Sequence, residues 1–231
     1  MTDTMMSTLT DPMAAFDFWI EKFRDDLAHQ AEHAWPPHPA PPVLMTLSTV
    51  GPDGYPRTRN VMVSSFTGTG TGSGRICFHT DSRSEKASQL EANPRVSATI
   101  LAPDRSRQIT VIGVAVPATD EENATAYSNR SRYLQILAWL NDDFQALLPI
   151  DERHRNWDAF GEAHPDLSDC PPSTWAGYAI IPREFLFWQG DVDGPSQRTR
   201  FLHRSNPAPD PAAGNGARHT TDTWTTEVLP G

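Results

Sequence analysis

Three short stretches of this chain carry the side chains best suited to holding an anion. Ser84, Glu85 and Lys86 open a segment of helical periodicity at 84–92. The first turn of a helix leaves backbone N–H groups unpaired at the positive end of its dipole, and Lys86 adds a full charge there. Arg59 lies two strand-like stretches earlier and His79-Thr80 immediately before the helix, so strands that close into a barrel would turn all of them onto one ligand. A phosphate-bearing molecule is the chemistry that this set predicts. Among the eight histidines no catalytic triad, paired-carboxylate motif or metal-spaced cluster stands out. His29, His33 and His38 fall on a helix end and a proline-rich loop without a further ligand at a suitable spacing, so they read as solvated and no metal is expected. No catalytic residue is assigned. A redox cofactor would bring its own chemistry and leave the protein to bind and orient it.

The elements that must position these residues are mostly strands. Stretches 43–50, 59–66, 75–80, 96–101 and 108–116 are rich in β-branched and aromatic residues and are bounded by Gly, Pro, Asp or Ser. Gly51-Pro52-Asp53-Gly54 reads as a hairpin turn. The glycine-rich stretch 68–74 reads as a looser hairpin loop and not a nucleotide loop, because neither a Lys-Ser/Thr pair nor Gly-x-Gly-x-x-Gly spacing before a helix accompanies it. Upstream, Phe16, Trp19, Ile20, Phe23 and Leu27 recur at helical spacing with charges opposite, which predicts an amphipathic helix capping the barrel. The prolines of 36–42 then deliver the chain extended into the first strand. Beyond the barrel, 120–129 reads as a surface helix and 133–140 as a more apolar one that could lie against a second subunit. Residues 175–181, a turn at Pro182 and 185–190 read as a final strand pair. Residues 1–12 and the tail at 205–231 read as disordered or mobile, with a possible terminal strand. The domain is then a single one at 13–204, with its barrel core at about 43–116.

Composition removes several classes of function. A formal net charge of −10, with no basic stripe, excludes nucleic acid as a partner. No apolar run approaches the length of a membrane span and the N-terminus lacks the pattern of a signal peptide, so a cytoplasmic setting without membrane is expected. The two cysteines, Cys77 in a strand and Cys170 in a loop, are too few for a disulfide framework.

Five segments taken in order, RNVMV (59–63), FHTDSRSEKA (78–87), NPRVS (93–97), RQITVIG (107–113) and FWQG (187–190), resemble the successive motifs of the pyridoxine/pyridoxamine 5′-phosphate oxidase family. The resemblance implies a mainly β fold with peripheral helices, an antiparallel Greek-key FMN-binding split β-barrel, and a homodimer whose two flavin sites are built across the two-fold interface. It also implies that FMN is held by Arg59, Asn60, Val61, Met62, Val63 and Ser64 along the second strand, by His79 and Thr80, by Lys86, and by Gln108, Trp188 and Arg198. A deazaflavin is the alternative cofactor. Two positions depart from the family pattern: Glu85 stands where an Arg commonly precedes the helical Lys, and Asp143-Phe144 stand where a Gln-Ser pair from the second subunit would approach the flavin.

The substrate side departs further. The family's pocket Lys falls on Ser64, its Tyr, Arg and Ser on Ala126, Arg130 and Leu134, and its Arg-Leu-His on Gly194-Pro195-Ser196. Only Arg130 keeps its chemistry, so Ser64, Arg130, Leu134 and Ser196 would define a remodelled pocket. The expectation is an FMN-dependent oxidase or dehydrogenase acting on another small organic substrate. A genuine pyridoxamine 5′-phosphate oxidase and a non-catalytic flavin-binding protein are the two alternatives.

Overall fold

The structure, a computed structural model, describes residues 11–34, 36, 39–68, 74–204 and 224–230. The expectation of a disordered start over 1–12 is corrected at its end, where Asp11 caps and Pro12 opens the first helix, and the possible terminal strand in the tail at 205–231 forms at Trp224–Leu229; the rest of both expectations, over 1–10 and 205–223, and the interior of the glycine loop at 69–73 lie outside the described residues. Among the described residues no helix is long and apolar enough to cross a membrane.

The chain opens with helix α1, Pro12–Glu32, capped by the Asp11 carboxylate accepting from the Met13 amide at 2.9 Å. Proline at its first position costs nothing, because the N–H it lacks would be unpaired there. Its apolar stripe is buried: Phe16 meets Phe66 edge-on at 5.2 Å and Phe185 at 6.0 Å, and Trp19 meets Phe187 edge-on at 5.2 Å. Arg107 reaches Asp26 at 3.2 Å and lies over Phe23, so even the charged side of the contact has a partner.

The barrel comprises β1 (Leu44–Val50), β2 (Pro56–Met62), β3 (Ser65–Thr67), β4 (Arg75–Asp81), β5 (Arg95–Leu101), β6 (Arg107–Pro117) and β7 (Trp175–Gln189), with β8 (Gln197–His203) and β9 (Trp224–Leu229) extending it. All pairings are antiparallel, in the order β2-β1-β5-β6-β7-β4-β3. The β1–β2 hairpin turns at the expected place, where Gly54 takes φ +82, a conformation that glycine adopts without steric cost. The terminal strand β9 pairs with β8.

Two strand expectations need correction. The second strand does not run unbroken from Arg59 to Phe66. It pairs with β1 as far as Met62, breaks at Val63-Ser64, and resumes as β3 against β4. At the break the Val63 amide still reaches the Val43 carbonyl at 3.0 Å, while the next amide, Ser64, reaches the Cys77 carbonyl at 2.9 Å. One kinked segment therefore joins the two ends of the sheet order, and β2 comes to lie beside β4.

Nor does the chain turn at Pro182. Residues 175–189 form one strand, and the irregularity there is a β-bulge: Ile112 pairs with Glu184 and Gly113 with Pro182, leaving Arg183 without an opposite number. A proline lacks the N–H that a ladder needs, and a bulge accommodates this without a turn. The bulge divides β7 into an N-terminal half paired with β4 and a C-terminal half paired with β8.

Between β6 and β7 the chain forms α3 (Asp120–Ser128), α4 (Arg132–Leu140), α5 (Asp143–Leu147) and α6 (Ile150–Ala163). Helix α3 starts with a capping box, Thr119 with Glu122, and the same Glu122 receives Arg75 of β4 through two bonds of 3.0 and 2.9 Å. That pairing fastens the helical excursion to the barrel. The short helix α2, Glu85–Ala92, leaves β4 and packs on β1.

The bulge generates the first prediction. A Cβ on Gly113 would sit 2.2 Å from the Ile181 carbonyl oxygen, backbone that cannot step aside without moving β7. Gly113→Ala is expected to destabilise the fold by about 1–3 kcal/mol, the usual cost of overpacking, in a denaturant midpoint measurement. An unchanged midpoint would show that the two halves of β7 slide freely.

Candidate functional site

Where β2 runs beside β4 and α2, and α4–α5 face them, the structure leaves a cleft of about 680 Å³. This is within the ~300–1,000 Å³ typical of small-molecule sites. Arg59, Asn60, Val61, Met62, His79, Thr80, Lys86, Arg130 and Leu134 line it together. The convergence of Arg59, His79-Thr80 and Lys86 follows from the kink at Val63-Ser64, which sets the second strand against the fourth.

One end of the cleft is the start of α2. Ser84 is its N-cap by backbone geometry, but the serine side chain makes no capping bond to the helix. Its hydroxyl instead lies 3.3 Å from that of Thr80, which accepts from Lys86 Nζ at 2.8 Å. Burial lowers the Lys86 pKa, and the positive charge of Arg59 lowers it further. Burial likewise lowers Arg59, with the Glu85 carboxylate acting against it. Glu85 is exposed and does not line the cleft, so its charge offsets the two cations only from outside the site and without an ion pair.

The other end is a stack. The Trp175 ring lies 5.0 Å from that of His79 with only 8° between their planes, and the Arg130 guanidinium rides on the same indole at 4.3 Å. The indole N–H donates to the Asn123 carbonyl at 3.0 Å, fixing the ring to α3. His79 is 7 % exposed; its Nδ1 lies 2.9 Å from Ser64 Oγ, while its Nε2 is buried and without a regular partner. A Cβ on Gly177 would come within 2.6 Å of that Nε2 and 2.3 Å of Asn123 Oδ1, so only glycine leaves room for the two groups. Burial, then the charge of Arg130, presses His79 from its ordinary 6.5 down to about 4. Burial also lowers Arg130 to about 10, and its Nε has no partner. At neutral pH the histidine is uncharged and the arginine carries the positive charge at this end.

Arg59, Lys86 and Arg130 have no ion pair with a carboxylate among the described residues, whereas Arg75, Arg83 and Arg107 each have one. No group of three His, Cys, Asp or Glu side chains among the described residues is placed to hold a metal.

The remaining sequence-derived positions lie elsewhere. Val63 is buried in the core, and Ser64 touches the site only through His79. Gln108, Trp188 and Arg198 are outside this cleft, yet the sheet register places them directly opposite one another, Gln108 to Trp188 and Trp188 to Arg198, as a single row across β6, β7 and β8. Ser196 lies in the β7–β8 connection, also outside the cleft. Asp143 and Phe144 line the cleft of their own chain. Trp175, Gly177 and Arg83 were not singled out in the sequence. The Trp-x-Gly spacing before an apolar strand was a usable signal for the first two.

A family model described as pyridoxamine 5′-phosphate oxidase matches residues 39–159. The chain is 29% identical over 219 residues to the pyridoxine/pyridoxamine 5′-phosphate oxidase of a Nocardioides species, spanning 95% of this chain and 87% of that one. It is 31% identical over 182 residues to the enzyme of the same name from Caulobacter vibrioides, spanning 78% and 73%. Among solved structures, PhzG from Burkholderia lata 383, in complex with tetrahydrophenazine-1-carboxylic acid, matches with a TM-score of 0.69 at 20% identity over 97% of this chain and 94% of that one. A pyridoxamine 5′-phosphate oxidase-related, FMN-binding protein from Nostoc punctiforme matches with a TM-score of 0.65 at 15% identity over 97% and 99%.

The buried histidine predicts a pH dependence. Its folded pKa lies below the unfolded value, so between pH 6.5 and 4 the unfolded chain takes up a proton that the folded chain refuses. Stability contributed by neutral His79 is complete above that window and falls as pH drops through it, by about 3 kcal/mol. The Arg75–Glu122 pair acts lower, because Glu122 is held at about 2 and its contribution is lost only below about 4.5. Wild-type protein should therefore lose more stability than His79→Gln between pH 6.5 and 4 in urea titrations. Parallel curves would mean that His79 is protonated in the folded state.

Proposed function

The chain belongs to the pyridoxamine 5′-phosphate oxidase family and has its split-barrel fold, and from that premise we propose that it is an FMN-dependent oxidoreductase. It would work as a homodimer on a small organic anion other than pyridoxamine 5′-phosphate. The observation that carries this reading is the set of cleft cations without carboxylate partners, divided between two ends. Arg59 acts on Lys86, whereas Arg130 responds to Tyr127 and acts on His79. Two separate anions would satisfy them.

The residues fit the cofactor. Its phosphate would be held by Lys86, Arg59 and the unpaired amides at the start of α2, leaving β2 from Asn60 to Met62 along the cleft wall for the ring. FMN, when bound, supplies the capacity to accept or release a hydride. Everything else falls to the protein. Arg130, held over Trp175, would bind an acidic group of the substrate, and neutral His79 adds no second charge beside it. Leu44, Leu134, Leu137 and Ala138 offer an apolar wall that excludes water from a flat substrate. The row Gln108–Trp188–Arg198, unused in this chain's own cleft, would complete the cleft of a partner subunit. PhzG shows that this fold can present a carboxylated ring system.

The names of the curated relatives favour a second reading, a genuine pyridoxamine 5′-phosphate oxidase. The pocket argues against it. Ser64 spends its hydroxyl on His79, Ala126 and Leu134 cannot hold a phosphate, and Gly194-Pro195-Ser196 carry no charge. Each charge-assisted bond lost is worth about 1.5–3 kcal/mol.

The purified protein is expected to sediment as a yellow dimer, and Lys86→Ala should weaken FMN binding roughly 10- to 100-fold, the value of one charge-assisted bond. A colourless monomer that takes up no added flavin would refute the proposal. In steady-state assays of the flavin-loaded dimer, pyridoxine and pyridoxamine 5′-phosphates should give a kcat/KM below roughly 10⁴ M⁻¹s⁻¹, the lower edge of ordinary enzymes. A higher value would establish the second reading.

A further inference from the structure

Arg59 is anchored without being neutralised, and the anchoring groups are not among the cleft residues. Its Nη1 donates to Thr49 Oγ1 at 2.6 Å and to the Leu47 carbonyl at 3.4 Å, and its Nη2 donates to Gln89 Oε1 at 3.0 Å. The Thr49 hydroxyl in turn donates to the same Gln89 oxygen at 2.5 Å, which closes the triangle. Thr49 is 1 % and Gln89 3 % exposed. A guanidinium has five N–H donors and no acceptor, so Nε and the second Nη2 hydrogen remain for a ligand.

The placement follows from the fold. Leu47 is the register partner of Arg59 across β1 and β2, and Thr49 lies two residues further along the same strand face. Gln89 stands three residues after Lys86, so one face of α2 sends a cation to the cleft and an amide to the neighbouring arginine. The amide orientation is dictated, since both neighbours are donors and only the oxygen can receive them. This arrangement leaves Gln89 Nε2 buried without a partner. A glutamate of the same reach would have no such stranded group and would form an ion pair with Arg59. The buried unpartnered N–H₂ is thus the mark of a position where a neutral acceptor is required.

We propose that Thr49 and Gln89 are positioning residues that hold Arg59 as an uncompensated cation for the cofactor phosphate, and that they thereby set the preference for FMN over unphosphorylated riboflavin. This rests on the FMN reading above. Because they act through the phosphate alone, their signature is the ratio of the two flavin affinities and not the affinity for flavin as such.

The test is titration of apo-protein with FMN and with riboflavin, followed by flavin fluorescence. Gln89→Glu should lower the FMN-to-riboflavin affinity ratio by roughly tenfold or more, the value of a charge-assisted bond, with riboflavin affinity unchanged. Gln89→Met and Thr49→Val should lower the same ratio by a smaller factor. On an Arg59→Met background Gln89→Met should change the ratio no further. An unchanged ratio in the single variants, or an equal loss for both flavins, would overturn the proposal and leave a packing role. Should the Gln89 variants fail to fold, Thr49→Val decides by the same criterion. A wild-type protein that binds FMN no better than riboflavin would instead refute the phosphate site itself, which separates that failure from this one.

Discussion

Two partly buried cations, Arg59 and Lys86, line one cleft with no carboxylate ion pair among the described residues, and the rest of the site is arranged around that constraint. Burial lowers the pKa of both cations and the charge of Arg59 lowers that of Lys86 further, a cost to the folded chain unless an anion joins them. The fold keeps them together by covalent and hydrogen-bonded means. The kink at Val63-Ser64 closes the barrel and brings β2 beside β4, α2 follows β4 after a short turn, and neutral oxygens of Thr80, Thr49 and Gln89 fix both head groups. Neighbouring carboxylates offset the two charges without pairing with them: Glu85 is exposed and Asp81 pairs with Arg83, while Glu122 pairs with Arg75.

At the opposite end the same economy of charge holds with different parts. Gly177 gives up its side chain so that His79 and Asn123 can approach, His79 remains neutral, and Trp175 presents one flat surface to the imidazole and the guanidinium. Arg130 shares the cleft with the apolar wall of Leu134 and Leu137. On the proposed function, the two ends would divide the cleft between a cofactor anion and a substrate anion. Ser64, whose hydroxyl lies 2.9 Å from His79 Nδ1, adds no charge at this end.

Much of this was legible in the sequence because the signals were local. The spacing of Phe16, Trp19, Ile20 and Phe23 marked α1, Gly51–Gly54 marked the first hairpin, and Ser84-Glu85-Lys86 marked the start of α2. Two signals misled because their meaning is set by partners distant in the chain. Pro182 breaks a ladder whether the result is a turn or a bulge, and only Gly113 on the neighbouring strand, with no side chain to clash, permits the bulge. The stretch 59–66 has one continuous β pattern, and its division at Val63-Ser64 is imposed by two different partners, β1 and β4. Thr49 and Gln89 carried no chemical signal, being an ordinary strand threonine and helix glutamine until the fold sets Arg59 between them. Trp175 was read as strand, and its contact with Arg130 depends on α3 and α4 returning over the sheet.

The central claim is that the cleft sorts two anions, a phosphate to Arg59 and Lys86 and a substrate acid to Arg130. A crystal structure of the chain grown with FMN tests it most directly. The account predicts the FMN phosphate within hydrogen-bond distance of Lys86 Nζ and Arg59, with the Arg59–Thr49–Gln89 triangle intact and the Arg130 guanidinium still open over Trp175. A phosphate seated on Arg130, or an Arg59 turned away from the ligand, would contradict it.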